Sequence, residues 1–179
     1  VSAGVVAFAP DRLLQLSVVG STQHEVAEPL LMGLGVLGIM VALTVAEREK
    51  PVYELVAARE FGSLRETIGW SVLAGVAIAL YLWVWPPGVF LYGILGAFFV
   101  VHLSIEHLRG RSPEHASFVG VISLSTAGLL QLPFITTLSL SSTDRSPLQV
   151  GLALGVVVGI VFLAWLSRLV ERRDLPSLA

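Results

Sequence analysis

Five long apolar stretches, separated by short polar segments in which arginine is alternately abundant and scarce, constrain this chain more than any other feature. They run roughly 26–46, 69–85, 88–108, 116–140 and 150–170. A helix needs about 20 apolar residues to cross a hydrocarbon layer. Inside lipid, a helix is the element that satisfies its own backbone without an edge. The expectation is therefore an all-α integral membrane protein, a bundle of five transmembrane helices. Composition agrees: 55% of the 179 residues are hydrophobic and only 13% are charged, about half the charged fraction of an ordinary soluble domain.

Positive charge predicts an orientation. Arg48, Lys50, Arg59 and Arg65 follow the first stretch, whereas the Pro86-Pro87 connection after the second carries none. Arg109 and Arg111 follow the third, Arg145 alone the fourth, and Arg168, Arg172 and Arg173 end the fifth. Arginine-rich turns face the cytoplasm under the positive-inside rule. The N-terminus is thus expected outside and the C-terminus, with a tail over 173–179, in the cytoplasm. Trp83 and Trp85 fit an outer aromatic belt, and Trp70 an inner one.

Residues 1–24 read as an external interfacial or re-entrant segment. Asp11 and Arg12 lie between two short apolar runs, and each would cost about 2.5–3.5 kcal/mol at mid-bilayer. The segment 51–68 reads as an amphipathic linker helix. It starts with Pro51, which suits a first helical turn, and Val52, Leu55, Val56, Leu64 and Ile68 recur at helical spacing among charged residues. The bundle proper spans 25–172.

Several chemistries are excluded. Cysteine is absent, which removes disulfides, thiolate metal sites and cysteine nucleophiles. Lys50 is the sole lysine, so an intramembrane Schiff base has no candidate. A net charge of −2 without a basic run gives no reason to expect nucleic acid. No motif of a known family is present. The letters GLGVLG at 33–38 imitate a dinucleotide fingerprint, but they lie inside an apolar span with no preceding strand.

Ionisable groups at membrane depth are where function is sought first. His102 and Glu106 are four residues apart and share a helix face. Glu114 and His115 begin the returning helix, so a tight hairpin would bring His115 towards them. Two imidazoles and a carboxylate suit a divalent metal or a proton relay. The competing reading is a solvated rim of charge where the helix leaves the membrane. Haem is not expected, because only His102 lies clearly within a span.

Gln131, Ser125, Thr126 and Thr136 mark a polar face on the fourth stretch, which Pro133 interrupts. They would line a path for a solute or hydrogen-bond between helices. His24 and Glu28 would form an external mouth or simply anchor a helix entrance. Gly33, Gly35 and Gly38 in the first stretch, and Gly151, Gly155 and Gly159 in the fifth, offer smooth faces for helix packing. The lipid bilayer is the expected partner, with a second membrane protein or another copy of the chain.

The function expected from these features is a non-catalytic subunit of a larger membrane assembly rather than an enzyme. A small transporter or channel using the fourth helix is the first alternative. A metal-dependent membrane enzyme using His102, Glu106 and His115 is the second. Each places the chain in the cell membrane as a multi-pass protein.

Overall fold

The structure, a computed structural model, describes residues 26–48, 61–110 and 112–172. Among these residues there are no strands. Five long helices account for most of the chain: α1 (Ala27–Ala46), α2 (Phe61–Val84), α3 (Phe90–Leu108), α4 (Glu114–Gln131) and α5 (Pro147–Arg172). All five are long and apolar enough to cross a membrane. The expected interfacial segment 1–24 lies outside the described residues, as do the tail 173–179 and the first ten residues of the predicted linker helix. The rest of that linker, 61–68, is the first part of α2, with no break before the span.

The helices do not pack in simple chain order. α1 lies on α2, α2 on α4, α4 on α5, and α5 on α3, while α4 also meets α1 and α3. The fourth helix is therefore the centre of the bundle. The connection between α2 and α3 is a short 3-10 turn, Pro86–Val89, yet it sends α3 away from α2 towards α5. Gly88 lets this turn close against α2: a Cβ there would strike the Tyr81 ring at 2.5 Å. Trp85 then meets Phe90 edge-on at 5.6 Å.

Close approach between helices depends on small residues facing backbone. At Gly35 and Gly38 a Cβ would meet Ile78 at 2.8 Å and Ala74 at 2.9 Å on α2. At Gly75 it would meet Thr126 Cβ at 2.7 Å and the Ser123 carbonyl on α4. Gly128 faces Ala153, and Gly120 faces Ile160 and Phe99. Other glycines named for packing take no contact within the chain. Gly33 faces open space, and so do Gly151, Gly155 and Gly159. α5 turns the opposite stripe inward, with Val150, Ala153, Ile160 and Ser167 buried. Van der Waals fit governs this choice, since lipid offers no hydrophobic penalty for leaving a glycine face outside.

The fourth stretch is shorter than its apolar length implies. α4 ends at Gln131 and a 3-10 turn follows over Leu132–Phe134. Pro133 lacks the N–H that would continue the ladder, and Ile135 is already extended. Thr136 is therefore not on a transmembrane helix; its amide and hydroxyl donate to the Arg145 carbonyl, at 2.8 and 3.3 Å. α5 starts earlier than expected, for a reason written in the sequence Ser146-Pro147-Leu148-Gln149. The Ser146 amide donates to Gln149 Oε1 at 2.8 Å, and Leu148 N–H donates to Ser146 Oγ at 3.2 Å. These contacts have the pattern of a capping box.

Antiparallel alternation gathers the charged turns at one end. Glu47, Arg48, Arg65, Arg109, Glu114 and Arg168 lie there, while Arg145 sits at the other end with its guanidinium donating to the Trp83 carbonyl at 2.8 Å. The arginine-rich end is the one that the positive-inside rule assigns to the cytoplasm.

Candidate functional site

The arginine-rich end holds the ionisable cluster. α3 presents His102 and Glu106 one helical turn apart, with Nε2 and Oε1 separated by 3.9 Å. The His102 ring stacks on Phe98 at 5.4 Å, which fixes its plane. Glu106 is the more buried of the pair, its side chain 14% exposed against 29% for His102. α1 contributes a residue that the sequence reading missed. Glu47, immediately after the helix, brings a carboxylate oxygen within 4.8 Å of ligand atoms on both His102 and Glu106. The signal for it lay in the charge pattern: an acidic residue at the exit of a helix that must return beside α3. Nothing local in the sequence says which helices are neighbours.

These three side chains line a cavity of about 400 Å³ with Leu43, Ser112, His115 and Ala116. His115 thus reaches the same cavity as His102 and Glu106, as the hairpin argument expects. It is a wall residue there and not one of the three whose ligand atoms converge; Glu47 takes that place. His107 points elsewhere, its Nδ1 2.7 Å from Ser167 Oγ on α5. Glu114 accepts from the Arg168 guanidinium, tying α4 to α5 at this end. The Ser117 hydroxyl donates to the Pro113 carbonyl at 2.7 Å and closes the first turn of α4.

The polar face of α4 is an interface. Gln131 is buried and its side-chain amide donates to the Ala79 carbonyl of α2 at 3.1 Å. Thr126 packs against Gly75. Ser123, one turn away, is fully buried in the same contact zone. Ser125 is half-buried on α4, and Thr136 is in the loop beyond it. The four residues named for a path do not form one continuous lining: Thr136 has left the helix, and Gln131 is occupied by α2.

At the opposite end, Glu28 lies in the first turn of α1, where negative charge complements the helix dipole. His24 lies outside the described residues, so the proposed pairing of His24 with Glu28 has no structural description. The Trp83 and Phe134 rings meet tilted, with centroids 4.1 Å apart, and Arg145 reaches across to the Trp83 carbonyl. The loop 135–146 is thereby closed over the ends of α2 and α4.

No family profile matches the chain. A search of curated proteins finds close likeness all the same. The chain is 50% identical over 173 residues, 97% of its length, to the dolichyl-monophosphooligosaccharide–protein glycotransferase AglB of Haloferax volcanii. It is 24% identical over 159 residues to the dolichyl-phosphooligosaccharide–protein glycotransferase 3 of Archaeoglobus fulgidus. It spans only 16% and 17% of those proteins. Among solved structures, it resembles the archaeal oligosaccharyltransferase AglB from Archaeoglobus fulgidus in complex with an inhibitory peptide and a dolichol-phosphate. The TM-score is 0.76 at 22% identity, over 98% of this chain and 20% of that one. The same enzyme tethered to an acceptor peptide with the NVT sequon gives a TM-score of 0.75 at 22% identity, over 97% of this chain and 20% of that one. Likeness at this identity establishes the fold.

The expected functions need correction on these findings. A non-catalytic assembly subunit, a transporter or channel, and a metal-dependent enzyme built on His102, Glu106 and His115 all conflict with 50% identity to a glycotransferase, as does the expectation of no enzymatic activity. The location stands: the chain is a multi-pass membrane protein, with five apolar helices among the described residues and the lipid bilayer as its surroundings.

Proposed function

We propose that this chain forms part of the membrane domain of a glycotransferase that moves an oligosaccharide from a dolichyl-phosphate carrier to protein. One observation carries the reading: 50% identity maintained over 97% of the chain, with the Haloferax volcanii protein. A membrane-embedded framework suits a donor whose polyprenyl tail is held in lipid while its sugar projects into water.

Within such an enzyme the described residues act as framework. α4 threads between α1, α2, α3 and α5 with its polar side chains engaged in helix contacts. The face of α5 bearing Gly151, Gly155 and Gly159 is open, and only 22% of that helix's apolar window is buried, against 33–44% in the other four. We assign this face to contact with membrane helices of the same full-length protein, the chain being a sixth of its relatives' length.

Reconstitution provides the test. Full-length protein in liposomes, given a dolichyl-phosphate-linked oligosaccharide and an acceptor peptide, is expected to yield glycopeptide by mass spectrometry. Failure with a donor extracted from the native membrane, under conditions where a related enzyme is active, would reject the assignment.

A further inference from the structure

We propose that Glu47, His102 and Glu106 bind a divalent transition-metal cation, Zn²⁺ or Mn²⁺ in class, which ties the exit of α1 to α3 at the arginine-rich end. The proposal goes beyond the transferase reading and does not rest on it.

Glu47 and Glu106 belong to different helices, yet their carboxylates converge within 4.8 Å. With His102 they present three ligand atoms, from two segments of chain, to one point. Among the described residues no arginine or lysine pairs with either; the ion pairs at this end are His102–Glu106 and Arg168–Glu114. A cation held at that point would take all three as ligands.

The donor set selects the cation. One imidazole nitrogen with two carboxylate oxygens suits Zn²⁺, Mn²⁺ or Fe²⁺, while Ca²⁺ and Mg²⁺ prefer oxygen alone. Zinc bonds to these atoms are about 2.0–2.2 Å long, which sets ligand atoms about 3.3–3.6 Å apart in a tetrahedral shell. His102 Nε2 and Glu106 Oε1 already stand 3.9 Å apart. Glu47, within 4.8 Å of both, is exposed, so its side chain has room to turn towards them. The cavity of about 400 Å³ leaves space for the ion, water and a fourth ligand, with His115 and Ser112 in its wall.

The consequence is mechanical. α1 packs on α2 and α4, so a shared ion would add a tie to α3 at the point where the chain leaves the membrane. The position is remote from the Trp83–Arg145 end, separated from it by the length of the bundle.

Full-length protein in detergent is stripped with EDTA, desalted, and equilibrated with Zn²⁺ alone or Mn²⁺ alone. Bound metal is counted by inductively coupled plasma mass spectrometry in the wild type, Glu47→Gln and His102→Ala. Subtraction cancels metal held elsewhere in the full-length chain. The wild type is expected to retain one equivalent more than either variant. Zn²⁺ affinity at this site should fall at least about tenfold on loss of a ligand, since even outer partners of metal ligands are worth that much. X-ray absorption on the zinc-loaded wild type should show one imidazole among oxygen ligands. Glu47→Gln alters an exposed side chain and keeps the test decisive should His102→Ala fold poorly. Equal metal retention by wild type and Glu47→Gln overturns the proposal.

Discussion

Replacement of Gly75 by alanine is the sharpest probe of this bundle. Gly75 is where α2 crosses α4, and a Cβ there would stand 2.7 Å from Thr126 Cβ and 3.1 Å from Thr126 Cγ2, as well as against the Ser123 carbonyl. Carbon pairs prefer about 3.5–4.0 Å. Rotation of Thr126 relieves the Cγ2 contact but not those with Cβ and the carbonyl, which are fixed to the α4 backbone. The two helices must separate, and overpacking of this kind costs about 1–3 kcal/mol. Alanine also favours the helix over glycine by about 0.8–1.0 kcal/mol, which masks part of the loss. Gly69→Ala supplies the correction. Gly69 is in the same helix with nothing within 4 Å, so it shares the propensity gain without the clash. The difference between the two variants therefore isolates the contact and should be about 1–3 kcal/mol against Gly75→Ala. Equilibrium unfolding of the full-length protein in mixed micelles, titrated with sodium dodecyl sulfate, measures it. If Gly75→Ala proves as stable as Gly69→Ala, α2 and α4 do not cross here and the central position of α4 is wrong.

Other perturbations give smaller or more local effects. Gln131→Leu removes the hydrogen bond from its side-chain amide to the Ala79 carbonyl and should destabilise the same unfolding equilibrium by about 0.6 kcal/mol, the average for hydrogen bonds between membrane helices, and by no more than about 1.7 kcal/mol; a stabilised variant would contradict the assigned partner. Arg145→Ala frees the Trp83 carbonyl and should accelerate hydrogen exchange and proteolysis in the loop 135–146, with the helices unchanged. Arg168→Ala breaks an ion pair in which the arginine is half exposed, and unfolding should register no more than about 1 kcal/mol. At Gly155 an added Cβ meets nothing within 4 Å, so Gly155→Leu probes the outward face; a loss of stability or activity in the full-length protein would place another helix on that face, while wild-type behaviour would leave it to lipid.

What the sequence determined was the solvent and the elements. Runs of about 20 apolar residues can satisfy their backbone in hydrocarbon only as helices, and the alternation of arginine places charged turns at a common end. The interruption at Pro133 was also legible, because it acts through local backbone chemistry, although the apolar letters beyond it argued for a longer helix than forms.

Only tertiary structure decided which small residues are buried and which charges meet. Gly75, Gly120 and Gly128 have no more distinctive neighbours in sequence than Gly151 or Gly155, yet the first three take the helix contacts and the others face outward. Likewise Glu47 joins His102 and Glu106 across 55 or more residues of chain. Helical periodicity states which residues share a face; it is silent on what that face will touch, because in lipid the choice rests on shape complementarity between distant segments and not on hydrophobicity.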